Sequence, residues 1–461
     1  MDTMQALRTL RANGEPDADM LDELIDAHKG DRERMIGLYE RYKATKRGVP
    51  ILTREFDDPN KINNKLNNDF FSDIVDTKVG YFAGQPIVYM LDRTKENLKK
   101  TQDNIDTFLI RNNIADLDSE TTKMAAITGQ AARLLYIDTE GEERVMALPP
   151  WECIYLHENG IEEPEYAMRY YDVRREVRPG EWEEVTRVEW YDDTYITYWV
   201  RERKDGRFML DDTDGDSRVP HNFDFVPLVG FPNNEELQGD CEKVLALIDA
   251  YDRTLSDVNS EIEQFRLAYL AFYGVELDEE MLRLAKKTGG FSLPEEAKME
   301  FITKMVEDAV VEHHLDRLED NILRYAKSVN FGDEKFAGTQ TGVALRYKML
   351  GLENKCITAE RKFTASLRRQ FQVLASAWEK RGVKIDYLDV YFEFSRNFPL
   401  NLLDEAQTSA TLKGLVSEKT RLGLFSFVDD VEYEMELMEQ DMQGRVDLDD
   451  TVEDEADEPT E

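Results

Sequence analysis

Apolar residues recur at alternating steps of four and three along residues 244–272. The positions are Val244, Ile248, Tyr251, Leu255, Val258, Ile262, Phe265, Tyr269 and Phe272. This spacing places a narrow apolar stripe along a helix, with the period of about 3.5 residues that is typical of helices packed side by side. We therefore predict a long helix over residues 239–272.

A second stripe with the same spacing lies in residues 306–330. Its members are Val311, Leu315, Leu318, Ile322, Tyr325 and Val329. Between the two stripes, residues 273–305 contain Gly289, Gly290 and Pro294, which interrupt helices and predict a compact insert. One such stripe is typical of a helix buried in an ordinary core. Two matched stripes around an insert instead favour a helical hairpin whose apolar edges meet partner helices.

Residues 133–231 show the alternation of a β-sheet. The runs VTRVEWY and TYITYWV alternate β-branched or aromatic residues with polar ones, and Asp-Gly and Asp-Asp pairs mark turns between them. The segment LDDTDGDS could suggest a calcium loop. With Gly215 at the sixth position, however, Leu210 and His221 occupy the places where the ion requires carboxylates. We interpret this segment as a hairpin turn within an antiparallel sheet.

The other segments are mainly helical. Amphipathic patterns predict helices before the sheet region, and a further long helix runs from residue 342 to about residue 381. Residues 385–397 alternate like a strand, and another helix follows Pro399. The pattern as a whole predicts an α+β fold that is mainly helical, with a chain length that calls for two or more domains.

Net charge is the most extreme feature of the composition. The chain carries 96 acidic and 58 basic residues and a formal charge of −38. Proteins that grip nucleic acid neutralise its phosphates with Lys and Arg, so this composition argues against phosphate clamping, although it allows a protein that surrounds DNA. The acid-rich residues 446–461 predict a disordered tail.

Chemical motifs are absent from the sequence. It contains no phosphate loop, no H-E-x-x-H, no G-x-S-x-G and no helix-opening G-x-G-x-x-G, so we predict no catalytic residue, metal site or cofactor. His313 and His314 are adjacent and would point about 100° apart on a helix, which suits a metal poorly. The three cysteines are widely spaced, and we interpret them as buried thiols. The longest apolar run, at 267–275, is about half a membrane span, so no membrane segment is predicted.

Four segments resemble the portal proteins of long-tailed bacteriophages of Gram-positive hosts. They follow the family's order over nearly the whole chain. The segments are LYERYK at 38–43, NKINNKLNNDFFSDIVDTKVGYFAGQPI at 60–87, GTQTGVALRYKMLGLENKC at 338–356 and LVSEKTRLGLFSFVDDVEYEMELMEQD at 415–441.

The resemblance implies a phage portal fold assembled as a ring, with an assignment for each part of the chain. The parts are a wing (1–238), stem helix 1 (239–272), a clip (273–305), stem helix 2 (306–330), a tunnel loop (331–341), a long helix and return strand of the wing (342–401), a crown (402–445) and the acidic tail (446–461). The stem stripes include Ile248, Tyr251, Leu255, Val258, Ile262, Leu315, Leu318, Ile322 and Tyr325.

The resemblance also implies sites and partners. The tunnel loop would face the DNA channel through Gly332, Asp333, Glu334, Lys335, Phe336, Gly338, Thr339, Gln340 and Thr341. The clip would dock the terminase large subunit or a head–tail adaptor through Asp278, Glu279, Glu280, Arg283, Lys286 and Lys287.

The assembly implied by the family is a homo-oligomer at the unique capsid vertex, the channel for packaging and ejecting double-stranded DNA. A dodecamer is expected, with thirteen copies possible in isolated rings. Major capsid and scaffolding proteins are further expected partners. The protein would be assembled in the host cytoplasm and end in the virion.

Two other functions fit parts of the sequence. One is a different connector or adaptor ring protein of the head–tail junction, although adaptors are usually smaller and lack a stem hairpin. The other is a Mg²⁺-dependent nuclease that uses acidic clusters such as Asp278-Glu279-Glu280 or Asp429-Asp430. In a chain with 96 acidic residues, such clusters are more simply solvated surface.

Overall fold

The structure is a computed structural model. It describes residues 3–58, 61–91, 99–158, 164–178, 180–202, 206–213, 215–265, 269–274, 279–288, 290, 296–302, 308–330, 342–397, 402–425, 428, 431, 433–435 and 437–439. The chain forms two compact units, one of residues 1–331 and 349–397 and a second of residues 332–348 and 398–461.

Helices account for most of the ordered backbone that the structure describes. They are α1 (Thr3–Asn13), α2 (Ala18–Tyr42), α3 (Phe70–Phe82), α4 (Lys99–Arg111), α5 (Ile114–Thr128), α6 (Leu245–Phe265), α7 (Glu279–Thr288), α8 (Asp308–Ala326), α9 (Gly342–Lys380), α10 (Leu402–Leu412) and α11 (Glu418–Leu422).

The strands are short except for one long hairpin. They are β1 (Val88–Leu91), β2 (Gln130–Ile137), β3 (Glu143–Leu148), β4 (Cys153–Leu156), β5 (Tyr166–Arg178), β6 (Glu181–Tyr191), β7 (Tyr195–Arg201), β8 (Met209–Leu210), β9 (Arg218–Pro220), β10 (Leu228–Pro232), β11 (Tyr269–Tyr273), β12 (Lys298–Ile302) and β13 (Val390–Glu393).

Four antiparallel sheets organise these strands. A six-stranded sheet has the order β4-β5-β6-β7-β8, with β9 also paired to β7, and a three-stranded sheet has the order β10-β2-β3. Two further sheets are the pairs β1-β13 and β11-β12. The first two sheets lie in residues 130–232, which agrees with the antiparallel region predicted from the alternation.

Apolar clusters join these elements in the first unit. The largest surrounds α9, where Phe363, Phe371 and Trp378 pack with residues from β1, β2, β10 and β13. A second cluster packs α1 and α2 on one face of the six-stranded sheet. A third lies between α3, α5, α6 and α8, around Ile248 and Ile322. This third cluster fixes the start of α6 and the end of α8 to the rest of the unit.

The second unit contains α10 and α11. Ser417 begins α11 with an N-terminal cap, because its hydroxyl accepts a hydrogen bond from the backbone N–H of Thr420 at 3.2 Å. Arg421 links the two helices by donating to the Ser409 hydroxyl at 2.8 Å.

The predicted helix over residues 239–272 is wrong at its C-terminal end. The helix α6 ends at Phe265, and Tyr269–Tyr273 forms the strand β11, which pairs with β12. The run LAYLAFY continues the helical spacing, but short aromatic-rich apolar runs fit strand and helix equally well by period, and Gly274 with φ +77° ends the strand. The insert between the two helices therefore starts nearer residue 269 than residue 273.

Candidate functional site

The helices α6 and α8 form an antiparallel hairpin, which is the candidate functional site. The start of α6 packs against the end of α8, since Ile248 and Ile322 share one buried cluster. At the opposite end, the chain between the helices contains the β11-β12 hairpin and α7. We call the end near Ile248 the base and the end near Ile262 the distal end.

Burial of the predicted stripe residues falls from the base to the distal end. Ile248 is 2% exposed and Ile322 is fully buried, whereas Ile262 is 54% exposed. Leu315 and Leu318 are buried, and Tyr251, Leu255 and Val258 are half-buried. Tyr325 lies near the base but is 58% exposed, because the neighbouring Ala326 takes the packing position.

An extended segment, residues 63–69, lies along α6. Asp252, Ser256 and Ser260 are spaced by one helical turn, and each accepts a backbone N–H from this segment. The N–H of Asn68 reaches Asp252 Oδ1 at 2.8 Å, that of Leu66 reaches Ser256 Oγ at 2.9 Å, and that of Asn64 reaches Ser260 Oγ at 3.0 Å.

The two spacings match because four residues of helix rise about 6 Å and two residues of extended chain about 6.6 Å. A row of helix side chains therefore replaces a neighbouring strand as hydrogen-bond partner. Arg54 adds an ion pair with Asp257 at 2.6 Å, and the side-chain amide of Asn64 donates to the Glu263 carboxylate at 2.9 Å. These contacts extend the anchoring of α6 towards its distal end.

A buried ionic network holds the base. Lys78 of α3 lies 3.0 Å from Asp240 and donates to Asn233 Oδ1 at 2.6 Å. Lys355 of α9 lies 3.2 Å from Asp240 and donates to the carbonyl of Ala326, the last residue of α8, at 2.9 Å. Asp240, which precedes α6, is thus paired with lysines from α3 and α9. Lys355 in turn links this pair to the end of α8.

Two buried carboxylates near the base, Asp240 and Asp252, have pKa values that are shifted in opposite directions. Burial alone would raise the pKa of Asp240, but the charges of Lys78 and Lys355 lower it below its ordinary value. Burial raises the pKa of Asp252, against the hydrogen bonds from Asn68 that lower it. Burial also lowers the pKa of Lys355, which Asp240 opposes. Two cations therefore keep Asp240 ionised. The charge of Asp252 is compensated only in part, by its hydrogen bonds from Asn68.

This network could not be predicted from the sequence. Lys78, Asn233, Asp240 and Lys355 are scattered over α3, a loop and α9, and Lys78 and Asp240 are 162 residues apart. The one available signal is a lysine inside the apolar pattern of DIVDTKVGYF, where the structure leaves Lys78 1% exposed.

The predicted clip residues lie on or next to α7. Glu279, Arg283 and Lys287 are exposed, and α7 places charges of both signs on its surface. Asp278 lies outside the described residues, as do the side chains of Glu280 and Lys286. The tunnel-loop residues Gly332 to Thr341 and the acidic tail also lie outside them.

The described residues offer neither a metal-binding cluster nor a membrane-spanning helix. They contain no group of His, Cys, Asp and Glu side chains arranged to hold a metal ion. Among the helices of the same ranges, none combines the length and apolar character needed to cross a membrane.

Comparison with known proteins identifies the family. The family described as "Phage portal protein, SPP1 Gp6-like" matches residues 21–446. The chain belongs to this phage portal family. Its fold class is therefore the helix-rich α+β portal fold predicted from the sequence, and its function is that of a structural phage portal protein and not of an enzyme.

Two curated relatives of this family cover most of the chain. The portal protein of Bacillus phage SPP1 is 26% identical over 451 residues, covering 93% of this chain and 87% of that protein. The portal protein of Clostridium phage phiCD119 is 25% identical over 419 residues, covering 86% and 88%. Both phages infect Gram-positive bacteria, as the resemblance implied. The family match also makes the chain a component of the phage particle.

The chain is also weakly similar to a solved structure. It is titled "Neck of empty GTA particle computed with C6 symmetry" and matches with a TM-score of 0.43 and 13% identity, over 78% of this chain and 90% of that chain.

Family membership decides between the functions considered from the sequence. The match to portal proteins over residues 21–446 agrees neither with an adaptor protein nor with a nuclease. The division into wing, stem, clip, tunnel loop and crown stays a prediction, as do the site residues assigned to each part.

Proposed function

We propose that copies of this chain form a ring around a channel for double-stranded DNA, with the α6–α8 hairpin as its stem. The observation that supports this most is the burial gradient along the hairpin. Ile262 and Val310, at its distal end, are 54% and 61% exposed although they are large and apolar. Hairpins of neighbouring copies would cover these side chains, whereas a single copy leaves them in water.

Simple geometry agrees with a ring of this kind. Twelve helices, each about 10 Å across, placed side by side enclose a bore of roughly 28 Å. A DNA duplex, roughly 20 Å wide, passes through such a bore. The motif and the cargo are thus compatible in size.

Charge would let the DNA slide. Each copy carries a formal charge of −38, and a wall of that sign repels phosphates at separations near the Debye length of about 8–10 Å. We propose that Lys335 of the tunnel loop makes brief phosphate contacts while Asp333 and Glu334 keep the lining repulsive. A phage carrying Lys335→Ala should lose DNA retention during packaging, and unchanged retention would remove the cationic contact from the proposal.

The insert between α6 and α8 is the proposed docking site for the terminase large subunit and the head–tail adaptor. Its helix α7 exposes Glu279, Arg283 and Lys287 at the far end of the hairpin from the buried base. The major capsid and scaffolding proteins would contact the ring elsewhere at the unique vertex, before the ring becomes part of the virion. Assembly would take place in the host cytoplasm.

Native mass spectrometry with electron microscopy of the purified protein tests the ring. Particles of twelve or thirteen copies of the 53.6 kDa chain, with a central opening wide enough for a duplex, are expected. A protein that stays monomeric over a wide concentration range, or that forms closed particles without an opening, would contradict the proposal.

A further inference from the structure

The hairpin of β5 and β6 continues past its own sheet as a two-stranded arm. Strand β4 pairs with β5 only at residues 166–169, and β7 pairs with β6 only at residues 186–191. Residues 173–178 and 181–185 pair with each other, and no third strand in the described ranges joins them. Both edges of this arm therefore present backbone N–H and C=O groups without a strand partner.

The two edges of the arm differ in charge. Strand β5 contributes Arg174 and Arg175, and strand β6 contributes Glu183 and Glu184. The register places Arg174 opposite Glu184 and Arg175 opposite Glu183. Over residues 173–178 the β5 edge carries three arginines and one glutamate, Glu176, and over residues 181–185 the β6 edge carries three glutamates, so the two edges have net charges of opposite sign.

This difference in net charge between the two edges favours one symmetry for a contact between the arms of two copies. A two-fold axis would bring like edges together, positive against positive or negative against negative, which is unfavourable. A head-to-tail arrangement instead brings the β6 edge of one copy against the β5 edge of the next. Head-to-tail contacts are the kind that close into rings of many copies.

An exposed tryptophan lies on the same arm. Trp182 is 61% exposed, opposite Glu176 in the register and close to the turn at Gly180. Tryptophan is among the side chains that contribute most to binding when an interface buries them. In a single copy this large ring lies in water, as is typical of a side chain that a binding partner covers.

We propose that the arm is an inter-subunit contact in which the acidic β6 edge of one copy lies against the basic β5 edge of the next. This inference rests on the proposed ring, and the arm would be a second contact between copies besides the hairpin. The occupant is a second copy of this chain, because the two edges of the arm complement each other and not themselves.

Two charge-reversal variants, one on each edge of the arm, test the contact. Arg174→Glu with Arg175→Glu makes both edges acidic, and Glu183→Arg with Glu184→Arg makes both edges basic. Each variant alone should give at least about tenfold fewer rings than the unaltered protein by native mass spectrometry. An equal mixture of the two should restore rings, with masses that correspond to alternating copies.

A matched control separates this effect from surface charge in general. Arg207→Glu reverses an exposed charge whose ion pair with Asp19 is also exposed, and it should leave ring yield unchanged. The pair of Arg175 with Glu202, at 3.8 Å, is likewise exposed and contributes less than about 1 kcal/mol to folding. Each charge variant also places like charges opposite one another within its own arm, so circular dichroism of the monomers checks that the fold is kept, and Trp182→Ala tests the contact where it is not.

Trp182→Ala provides a second test that leaves the charges of the arm in place. It should lower ring yield about tenfold without a change in the monomer's unfolding midpoint. Normal ring yield of both charge variants and of Trp182→Ala would overturn the arm contact while leaving the ring itself intact. Rings that form normally but fail to enter procapsids would overturn it too, by identifying a capsid-shell protein as the partner of the arm. If the unaltered chain forms no ring, the proposed function fails instead.

Discussion

The base and the distal end of the α6–α8 hairpin are built on opposite principles. At the base, Ile248 and Ile322 are buried in the third apolar cluster, and Asp240 is paired with two lysines. At the distal end, Ile262 and Val310 are more than half exposed. Apart from Tyr325, the stripe residues at the base are packed within a single copy, whereas the distal end leaves apolar surface for a neighbour. Substitutions at the base should therefore change folding, whereas substitutions at the distal end should change assembly.

Breaking the ionic network at the base should have the largest effect. In Asp240→Ala, Lys78 loses its buried counterion and Lys355 loses its ion pair, so the free energy of unfolding of the monomer should fall by about 3–5 kcal/mol. Chemical denaturation followed by circular dichroism measures this. The matched control is Asp19→Ala, which removes the exposed pair with Arg207 and should cost less than about 1 kcal/mol. Equal effects of the two variants would mean that the network does not hold the base.

Two isoleucine substitutions compare the ends directly. Ile248→Ala should lower the free energy of unfolding by about 2–5 kcal/mol, because it leaves a cavity in a packed cluster. Ile262→Ala should change it by no more than about 0.5 kcal/mol, since the side chain is already exposed, but should reduce ring yield. Denaturation of monomers and native mass spectrometry separate the two effects. A loss of folding stability in Ile262→Ala comparable to that in Ile248→Ala would remove the distinction between the ends.

How far the sequence predicts this hairpin depends on the kind of contact. Alternating steps of four and three predict the existence of α6 and α8, because helical periodicity is local, but the second helix ends at Ala326, before the predicted bound of residue 330. The same pattern is wrong for Tyr269–Tyr273, where pairing with β12 decides the conformation. The portal fold itself could be predicted from the quoted segments, and the family match confirms it.

The anchoring contacts could not be predicted in this way. Asn68 and Asp252 are 184 residues apart, and nothing in the local pattern of either indicates the other. The spacing of Asp252, Ser256 and Ser260 is regular, yet polar residues at one-turn intervals are equally typical of a solvated helix face. Only the fold shows that an extended chain lies along them.

The hydrogen-bonded row between α6 and residues 63–69 should make a smaller contribution. Ser256→Ala removes the buried hydroxyl that accepts the N–H of Leu66 and should lower the free energy of unfolding by about 1–2 kcal/mol. Thr254→Ala is the matched control on the same helix, since its hydroxyl donates to the carbonyl of Ala250 within α6 and makes no further hydrogen bond to the described part of the chain. The control should stay within about 0.5 kcal/mol of the unaltered protein. A control as costly as Ser256→Ala would argue against a role for the extended segment.

Asp252→Asn should have the smallest effect and the opposite sign. Burial raises the pKa of Asp252, and within the described residues its Oδ2 has no hydrogen-bond partner. Asparagine keeps an oxygen for the Asn68 donors and removes the buried charge, so stability at neutral pH should stay equal or rise by up to about 1 kcal/mol.

The pH dependence of the two carboxylates sharpens this prediction. A raised folded-state pKa means that the folded protein takes up the proton first, so the advantage of Asp252→Asn should shrink as the pH falls through the folded-state pKa of Asp252. The folded-state pKa of Asp240 is lowered, so its contribution is present above the ordinary pKa of an aspartate and disappears as the pH falls through the lowered value. Denaturation midpoints of Asp252→Asn and of the unaltered protein across the acid range measure the difference. A growing advantage on acidification would contradict the assignment.

The most direct test of the account is the reactivity of a cysteine placed at residue 262 in the monomer and in the assembled protein. The native Cys153, Cys241 and Cys356 are buried and should react little with a maleimide, so Ile262→Cys supplies the reactive thiol. Ile110→Cys, on a residue that is 81% exposed, serves as the control for a surface thiol outside the hairpin. We predict that the thiol at residue 262 reacts as fast as the control in monomers and at least about tenfold more slowly in rings, because neighbouring hairpins cover it. Equal reactivity at residue 262 in both states would contradict the claim that the distal end is completed by a neighbouring copy.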